Sequence, residues 1–192
     1  KILGPKLSSS LSGKIFEVIG PLFRSKKLIH LNIKRGIPDI TSENLNKLNK
    51  LMWNNYGKIF AEYIFIKEFR YGNLSNRVKI KRKDILDRII RTNKQVVFIS
   101  GHFDNFELMA MSLENVGIKL SAIYRPLNNI FLNQIIEKIR EKYICKNQIK
   151  KGINGVRESL KFFKQGTSIA IMIDQRVSEG KKINFFNHPA LT

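Results

Sequence analysis

The stretch Val96-Val97-Phe98-Ile99-Ser100-Gly101-His102-Phe103-Asp104-Asn105-Phe106-Glu107 decides how the rest of the chain is read. An apolar, β-branched run stops at Ser-Gly, a histidine comes next, and a glutamate stands five residues later at the head of the apolar-rich stretch Leu108 to Val116. That order predicts strand, tight turn and helix, with the histidine in the turn. Five helical steps of about 100° set two side chains roughly 140° apart, so His102 and Glu107 can meet only if the histidine lies outside the helix. So placed, the imidazole sits at the carboxyl end of a strand with a carboxylate available to fix its tautomer. A second reading stays open at this point. Asp104 and Glu107 also have the Asp-x-x-Glu spacing of a capping box, which makes Glu107 a helix cap and nothing more.

Outward from this stretch the pattern alternates. Val78 and Ile80 suggest a short strand, Ile85 to Ile90 a helix, Gln95 to Ser100 a strand, Asn105 to Val116 a helix and Leu120 to Tyr124 a strand. Leu132, Ile135, Ile136, Ile139 and Tyr143 mark another helix, Val156, Leu160 and Phe163 one that ends at Gly166, and Ser168 to Ile173 a buried strand closing on Asp174-Gln175. A last strand is expected over Ile183 to Phe186. Strands alternating with helices of ten to fifteen residues predict an α/β fold with a mainly parallel sheet flanked by helices. In such sheets function gathers at the carboxyl ends of the strands. Three successive ends carry His102, then Tyr124-Arg125-Pro126, then Asp174-Gln175-Arg176.

The amino-terminal part reads differently. Lys1 to Ser12 is small, polar and Gly/Ser-rich, and reads as a flexible lead-in to a short apolar and basic segment, Ile15 to Lys27, suited to a membrane interface or to a core helix. Thr41 or Ser42 caps a long helix or kinked pair over residues 43–69, where Leu45, Leu48, Met52, Tyr56, Ile59, Phe60 and Tyr63 recur at three- and four-residue spacing. The expected division is a helical, membrane-proximal region over 1–72 and an α/β core over 73–192.

Composition narrows the partners. The chain has 35 Lys and Arg against 15 Asp and Glu, a net charge of +20, which asks for an anionic partner such as nucleic acid, an acidic protein or a phosphorylated membrane surface. The excess also fits a solvated lysine surface. No zinc-finger spacing or aromatic-basic strand signature supports nucleic acid. The single Cys145 excludes an intrachain disulfide and a cysteine-based zinc cluster, and His30, His102 and His188 are too scattered to imply a metal. No phosphate-loop glycine pattern is present, so no cofactor is expected. No run approaches the ~20 apolar residues needed to span a bilayer.

The ordered combination Gly101-His102-Phe103-Asp104-Asn105-Phe106-Glu107-Leu108, Tyr124-Arg125-Pro126-Leu127-Asn128-Asn129, Arg140, Gly166, Asp174-Gln175 and Phe185-Phe186-Asn187-His188-Pro189-Ala190 resembles the bacterial lipid A biosynthesis lauroyl/myristoyl acyltransferases. Asn32, Pro38 and Glu62 resemble that family's amino-terminal region. The His-x-x-x-x-acid core alone would indicate only the wider glycerolipid acyltransferase superfamily. Where the family has Gly-Asn-Trp-Glu, this chain has Asp104-Asn105-Phe106-Glu107. Family members begin with a membrane-spanning helix and continue past the segment where this chain stops, so a longer parent is expected.

The resemblance implies a glycerol-3-phosphate acyltransferase-like fold and an enzyme on the cytoplasmic face of the inner membrane. It would move a fatty acyl group from acyl carrier protein to a hydroxyl of an anionic glycolipid, a lipid A precursor. On this reading His102 is the general base and Glu107 holds its tautomer. Arg125 binds the oxyanion or a phosphate, or is a surface arginine beside a proline turn. Asn105 assists or serves only the turn. Asp174 and Gln175 touch substrate or buttress the site, and Arg140 is a solvated helix charge. Two alternatives remain: acylation of a lysophospholipid or another glycolipid, and a non-catalytic basic module that binds membranes.

Overall fold

The computed structural model describes residues 2–174, 180–185 and 187–191. In chain order its elements are α1 (Gly4–Ile19), α2 (Lys26–Gly36), α3 (Ser42–Glu62), α4 (Ile66–Tyr71), α5 (Lys83–Thr92), β1 (Val97–Ser100), α6 (Glu107–Asn115), β2 (Leu120–Tyr124), α7 (Ile130–Tyr143), β3 (Asn147–Lys150), α8 (Ile153–Lys164), β4 (Ser168–Met172), β5 (Lys182–Phe185) and β6 (His188–Leu191). Contacts divide the chain into two units, Lys1–Ile66 together with Arg176–Thr192, and Lys67–Gln175.

In the first unit, the segment expected to be a flexible lead-in is most of α1. Pro5 opens the helix where its missing N–H is harmless, and the small residues that read as loop are those that bring α1 close to α3. Ser12 Oγ donates to the Gly57 carbonyl at 2.7 Å, and a Cβ on Gly57 would overlap the Ser12 carbonyl oxygen. Asn54 on α3 donates to Glu17 on α1 at 2.6 Å. Thr41 caps α3 by accepting from the Asn44 N–H at 3.3 Å, and Leu45, Trp53 and Ala61 form its buried side. A 3-10 turn, Tyr63–Phe65, follows α3, so the helical stretch expected over 43–69 is broken before α4 begins. β5 and β6 form an antiparallel hairpin, with Asn187 at positive φ in its turn. The sequence pattern does not announce β6, and Phe186, expected to end the preceding strand, lies outside the described residues.

The second unit is α/β, with four parallel strands in the order β1-β4-β2-β3 and helices flanking them. Parallel neighbours need crossovers, and α6, α7 and α8 supply them in turn. The side chains most completely withdrawn from water are Met111 on α6, Leu120 and Ser121 on β2, Ile149 on β3, and Ile144 and Cys145 just after α7. Val78 and Ile80, expected as a strand, lie in an extended connection between a 3-10 turn and α5, with no strand partner among the described residues. β3 is also unannounced by pattern, since Asn147-Gln148-Ile149-Lys150 is polar apart from the fully buried Ile149.

The strand order matters most for function. β4 returns to lie between β1 and β2, in register Ser100↔Met172 with β1 and Ser121↔Ile169 with β2. The ladder continues one step further, where the Ile173 N–H donates to the Ser100 carbonyl at 3.0 Å. The residues just past β1 and β4 therefore emerge side by side.

Candidate active site

Two neighbouring strand ends meet in one side-chain pair. Past β1 the chain turns sharply: Phe103 N–H donates to the Gly101 carbonyl at 2.8 Å, Asp104 adopts φ +45°, and Phe106 N–H donates to the Asp104 carbonyl at 3.0 Å before α6 begins. His102 lies in this turn, outside the helix, as the break at Ser100-Gly101 predicts. Past β4 stands Asp174. Its Oδ2 accepts from the His102 backbone N–H at 2.6 Å, and its Oδ1 lies 2.7 Å from His102 Nδ1. One carboxylate thus holds both the backbone and the ring. Phe106 meets the imidazole edge-on at 4.6 Å between centroids. Gly101 makes room for this arrangement, because a Cβ there would fall 2.9 Å from the Phe103 ring and 3.0 Å from Asp174 Oδ2.

The electrostatics fit an ionised aspartate. Partial burial works against its charge, but the His102 backbone N–H and ring outweigh that and hold the Asp174 carboxyl below the ordinary carboxylate range. An ionised acceptor keeps the proton on Nδ1, which leaves Nε2 as the basic nitrogen of the ring. The imidazole side chain retains 35% of its exposure, so it is supported without being sealed in.

Glu107 occupies a different environment. It is buried at the first position of α6, where its Oε1 accepts from Arg140 Nε at 2.8 Å and from Nη2 at 2.5 Å. The carboxylate bonded to the histidine ring is therefore Asp174, and the anticipated direct pairing of Glu107 with His102 gives way to a pairing with α7. The capping-box alternative fails as well, since the residue capping α6 is Phe106 and it makes no side-chain cap bond. Arg140, expected to be a solvated charge, is a buried partner with 11% of its side chain exposed, and its guanidinium stacks over the Tyr124 ring at 5.5 Å. Tyr124 donates in turn to Glu137, which also meets Lys150 at 3.7 Å. Burial first, and the bond to Glu137 next, raise the Tyr124 hydroxyl and keep it protonated. This series of pairs fixes α6 and α7 against β2 and β3, and so fixes the start of α6 from which the His102 turn departs.

The remaining expected residues occupy separate places. Arg125 comes just after β2 and is exposed. Lys151 comes just after β3, its N–H donating to the Tyr124 carbonyl at 2.8 Å. Partial burial, and then the neighbouring Arg125 cation, lower the Lys151 ammonium below the ordinary lysine range. Asn105 is half-buried within the turn. Gln175 lies outside the described residues. Two pairings escape a sequence reading, Asp174 with His102 and Arg140 with Glu107. All four residues stand out in the sequence, but nothing in it says which strand ends are neighbours. Among the described residues no group of three or more His, Cys, Asp and Glu is arranged to hold a metal ion.

A parallel α/β sheet whose adjacent strand ends present a carboxylate-held imidazole belongs to the class of proteins equipped for general-base chemistry at a sheet edge. Over residues 1–192 the chain matches the family model for bacterial lipid A biosynthesis acyltransferases, and it belongs to that family. It is an acyltransferase of lipid A biosynthesis. No curated protein matches it.

Proposed function

We propose that the enzyme transfers a fatty acyl group from acyl carrier protein to a hydroxyl of a lipid A precursor, at the cytoplasmic face of the inner membrane, with His102 as general base. The observation that carries this reading is the double grip of Asp174 on His102. It fixes the ring with Nδ1 as donor and leaves Nε2 to take a proton. The acceptor hydroxyl loses its proton to Nε2 as its oxygen attacks the thioester carbonyl. The resulting oxyanion collapses, the C–S bond breaks, and the imidazolium returns the proton to the departing thiolate. Asp174 stays ionised throughout and stabilises the imidazolium.

Glu107 acts on this chemistry through Arg140, as a positioning residue that holds the head of α6 and with it the turn. Arg125 follows β2 at the same carboxyl end of the sheet as His102 and supplies a cation for the oxyanion or for an acceptor phosphate. Asn105 and Gln175 are assigned to substrate contact. Phe103 and Ile173, 79% and 56% exposed, flank the pair with apolar surface for the acyl chain. The net charge of +20 suits an acidic carrier protein and an anionic glycolipid at once.

Incubation with labelled acyl carrier protein and a panel of acceptors tests the reading. Label is expected on the hydroxyacylated lipid A precursor. Label only on a lysophospholipid, or on none, would overturn the assignment.

A further inference from the structure

A helix on the surface of a soluble unit normally buries its apolar stripe and turns small and polar residues outward. α1 does the reverse. At about 100° per residue, Ser9, Ser12, Gly13, Phe16 and Gly20 share one side of the helix. That side meets α3: Ser9 donates to Glu62, Ser12 to the Gly57 carbonyl, and a Cβ on Gly20 would overlap the Trp53 ring. Leu7, Leu11, Ile15 and Val18 fall within an arc of about 80° on the far side. They are 62%, 50%, 46% and 78% exposed, and Leu22 at 85% continues the row past the helix end. Single exposed apolar residues are ordinary, whereas a contiguous row of five marks a surface made to be covered.

The charge around the row says by what. Residues 1–36 hold Lys1, Lys6, Lys14, Arg24, Lys26, Lys27, Lys34 and Arg35 against the single acid Glu17. A second copy laid on this face would set cations against cations. A bilayer surface of anionic phospholipid complements both the apolar row and the charge. The apolar row runs along one side of α1 with polar residues opposite, the pattern of a helix that lies in an interface. At 1.5 Å per residue the 16 residues of α1 extend about 24 Å, short of the ~30 Å hydrocarbon core. Among the described residues no helix is long and apolar enough to cross a membrane.

We propose that α1 lies flat on an anionic leaflet, with Leu7, Leu11, Ile15, Val18 and Leu22 sunk among the acyl chains and Arg24, Lys26 and Lys27 on the headgroups. The inference deepens the membrane side of the proposed function and rests on that reading for its lipid partner, but not on the acyl-transfer chemistry.

The test is co-sedimentation of the full chain with phosphatidylcholine vesicles containing roughly one third phosphatidylglycerol, set against phosphatidylcholine alone. The Leu7→Ser/Leu11→Ser/Ile15→Ser variant is expected to lose at least about tenfold in vesicle partitioning, with an unchanged far-UV spectrum. Arg24→Ser/Lys26→Ser/Lys27→Ser is expected to lose on the order of 100-fold on the anionic vesicles and little on the neutral ones. Variants that sediment like the unaltered chain would overturn the proposal. So would a row variant that converts a dimer to a monomer while vesicle binding stays intact, since the occupant would then be a second copy. Transfer to a detergent-dispersed acceptor separates the two readings. Loss of transfer with row-dependent binding intact removes only the chemistry, and the converse removes only the docking.

Discussion

Asp174→Asn replaces one of two acceptor oxygens with a donor at almost unchanged volume, and the geometry of the His102 pair fixes the consequence. Asp174 serves two hydrogen-bonding groups of His102 simultaneously, the backbone N–H at 2.6 Å and Nδ1 at 2.7 Å. An amide has a single oxygen. If that oxygen keeps the backbone N–H, the NH₂ group faces Nδ1, and two donors can coexist there only if the ring moves its proton to Nε2. The nitrogen that should accept the substrate proton then already carries one. The same reversal lowers turnover about 10⁴-fold in a serine protease triad, the worked case for this effect. Asp174 retains 31% of its side-chain exposure, so water can take over part of its role. A fall in kcat of about 10²- to 10⁴-fold is therefore expected, with KM for the acyl donor moving by about twofold or less. Single-turnover transfer from labelled acyl carrier protein reads the effect directly, with circular dichroism as the folding control. A folded variant whose kcat stays within about threefold of the unaltered enzyme would refute the reasoning.

The neighbouring pairs carry consequences of their own. Glu107→Ala strands the Arg140 guanidinium in a buried site, at a cost of about 3–5 kcal/mol, and a thermal melt should fall by roughly 6–20 °C for a chain of this size. If Glu107 acts through packing, Glu107→Leu/Arg140→Met should recover much of that loss, and a double variant no more stable than the single would count against the pairing. Asp104 sits at φ +45°, a conformation that favours glycine. Asp104→Gly is accordingly expected to raise stability by about 1 kcal/mol in urea unfolding, and a loss would show that the aspartate side chain holds the turn. Because the Asp174 carboxyl is held below its ordinary range, its contribution to stability is fully present above the unfolded value near 4 and is lost as pH falls through the lower folded value. Urea unfolding across acidic pH should show the stability gap between the unaltered chain and Asp174→Asn constant above about pH 5 and narrowing below about pH 4.

Local chemistry made much of the second unit legible. The run Val96 to Ile99 stops at Ser-Gly, and the observed strand ends at Ser100. The apolar positions from Leu132 to Tyr143 recur at helical spacing and lie in α7. Where patterns mislead, packing has reassigned a composition. The serines and glycines of α1 resemble a loop when read singly, yet they form the surface that lets α3 approach within hydrogen-bonding distance. β3 carries a single fully buried side chain at the sheet edge, too little for an apolar pattern to register. The site divides along the same line. That His102 sits in the turn follows from the Ser100-Gly101 break after an apolar run, which is local. That Asp174, 72 positions away, holds it depends on β4 inserting beside β1, and strand order is decided by the whole sheet. Arg140 and Glu107 meet across 33 positions for the same reason.

The central claim is that the His102 ring takes the acceptor's proton, and removing that ring tests it most directly. His102→Ala deletes one exposed side chain and leaves the turn's backbone bonds in place, so the variant is expected to fold with an unchanged far-UV spectrum. In single-turnover transfer from labelled acyl carrier protein to the lipid A precursor, it should form no product above the rate without enzyme. A folded His102→Ala protein that still acylates the precursor at a rate near that of the unaltered enzyme would contradict the account.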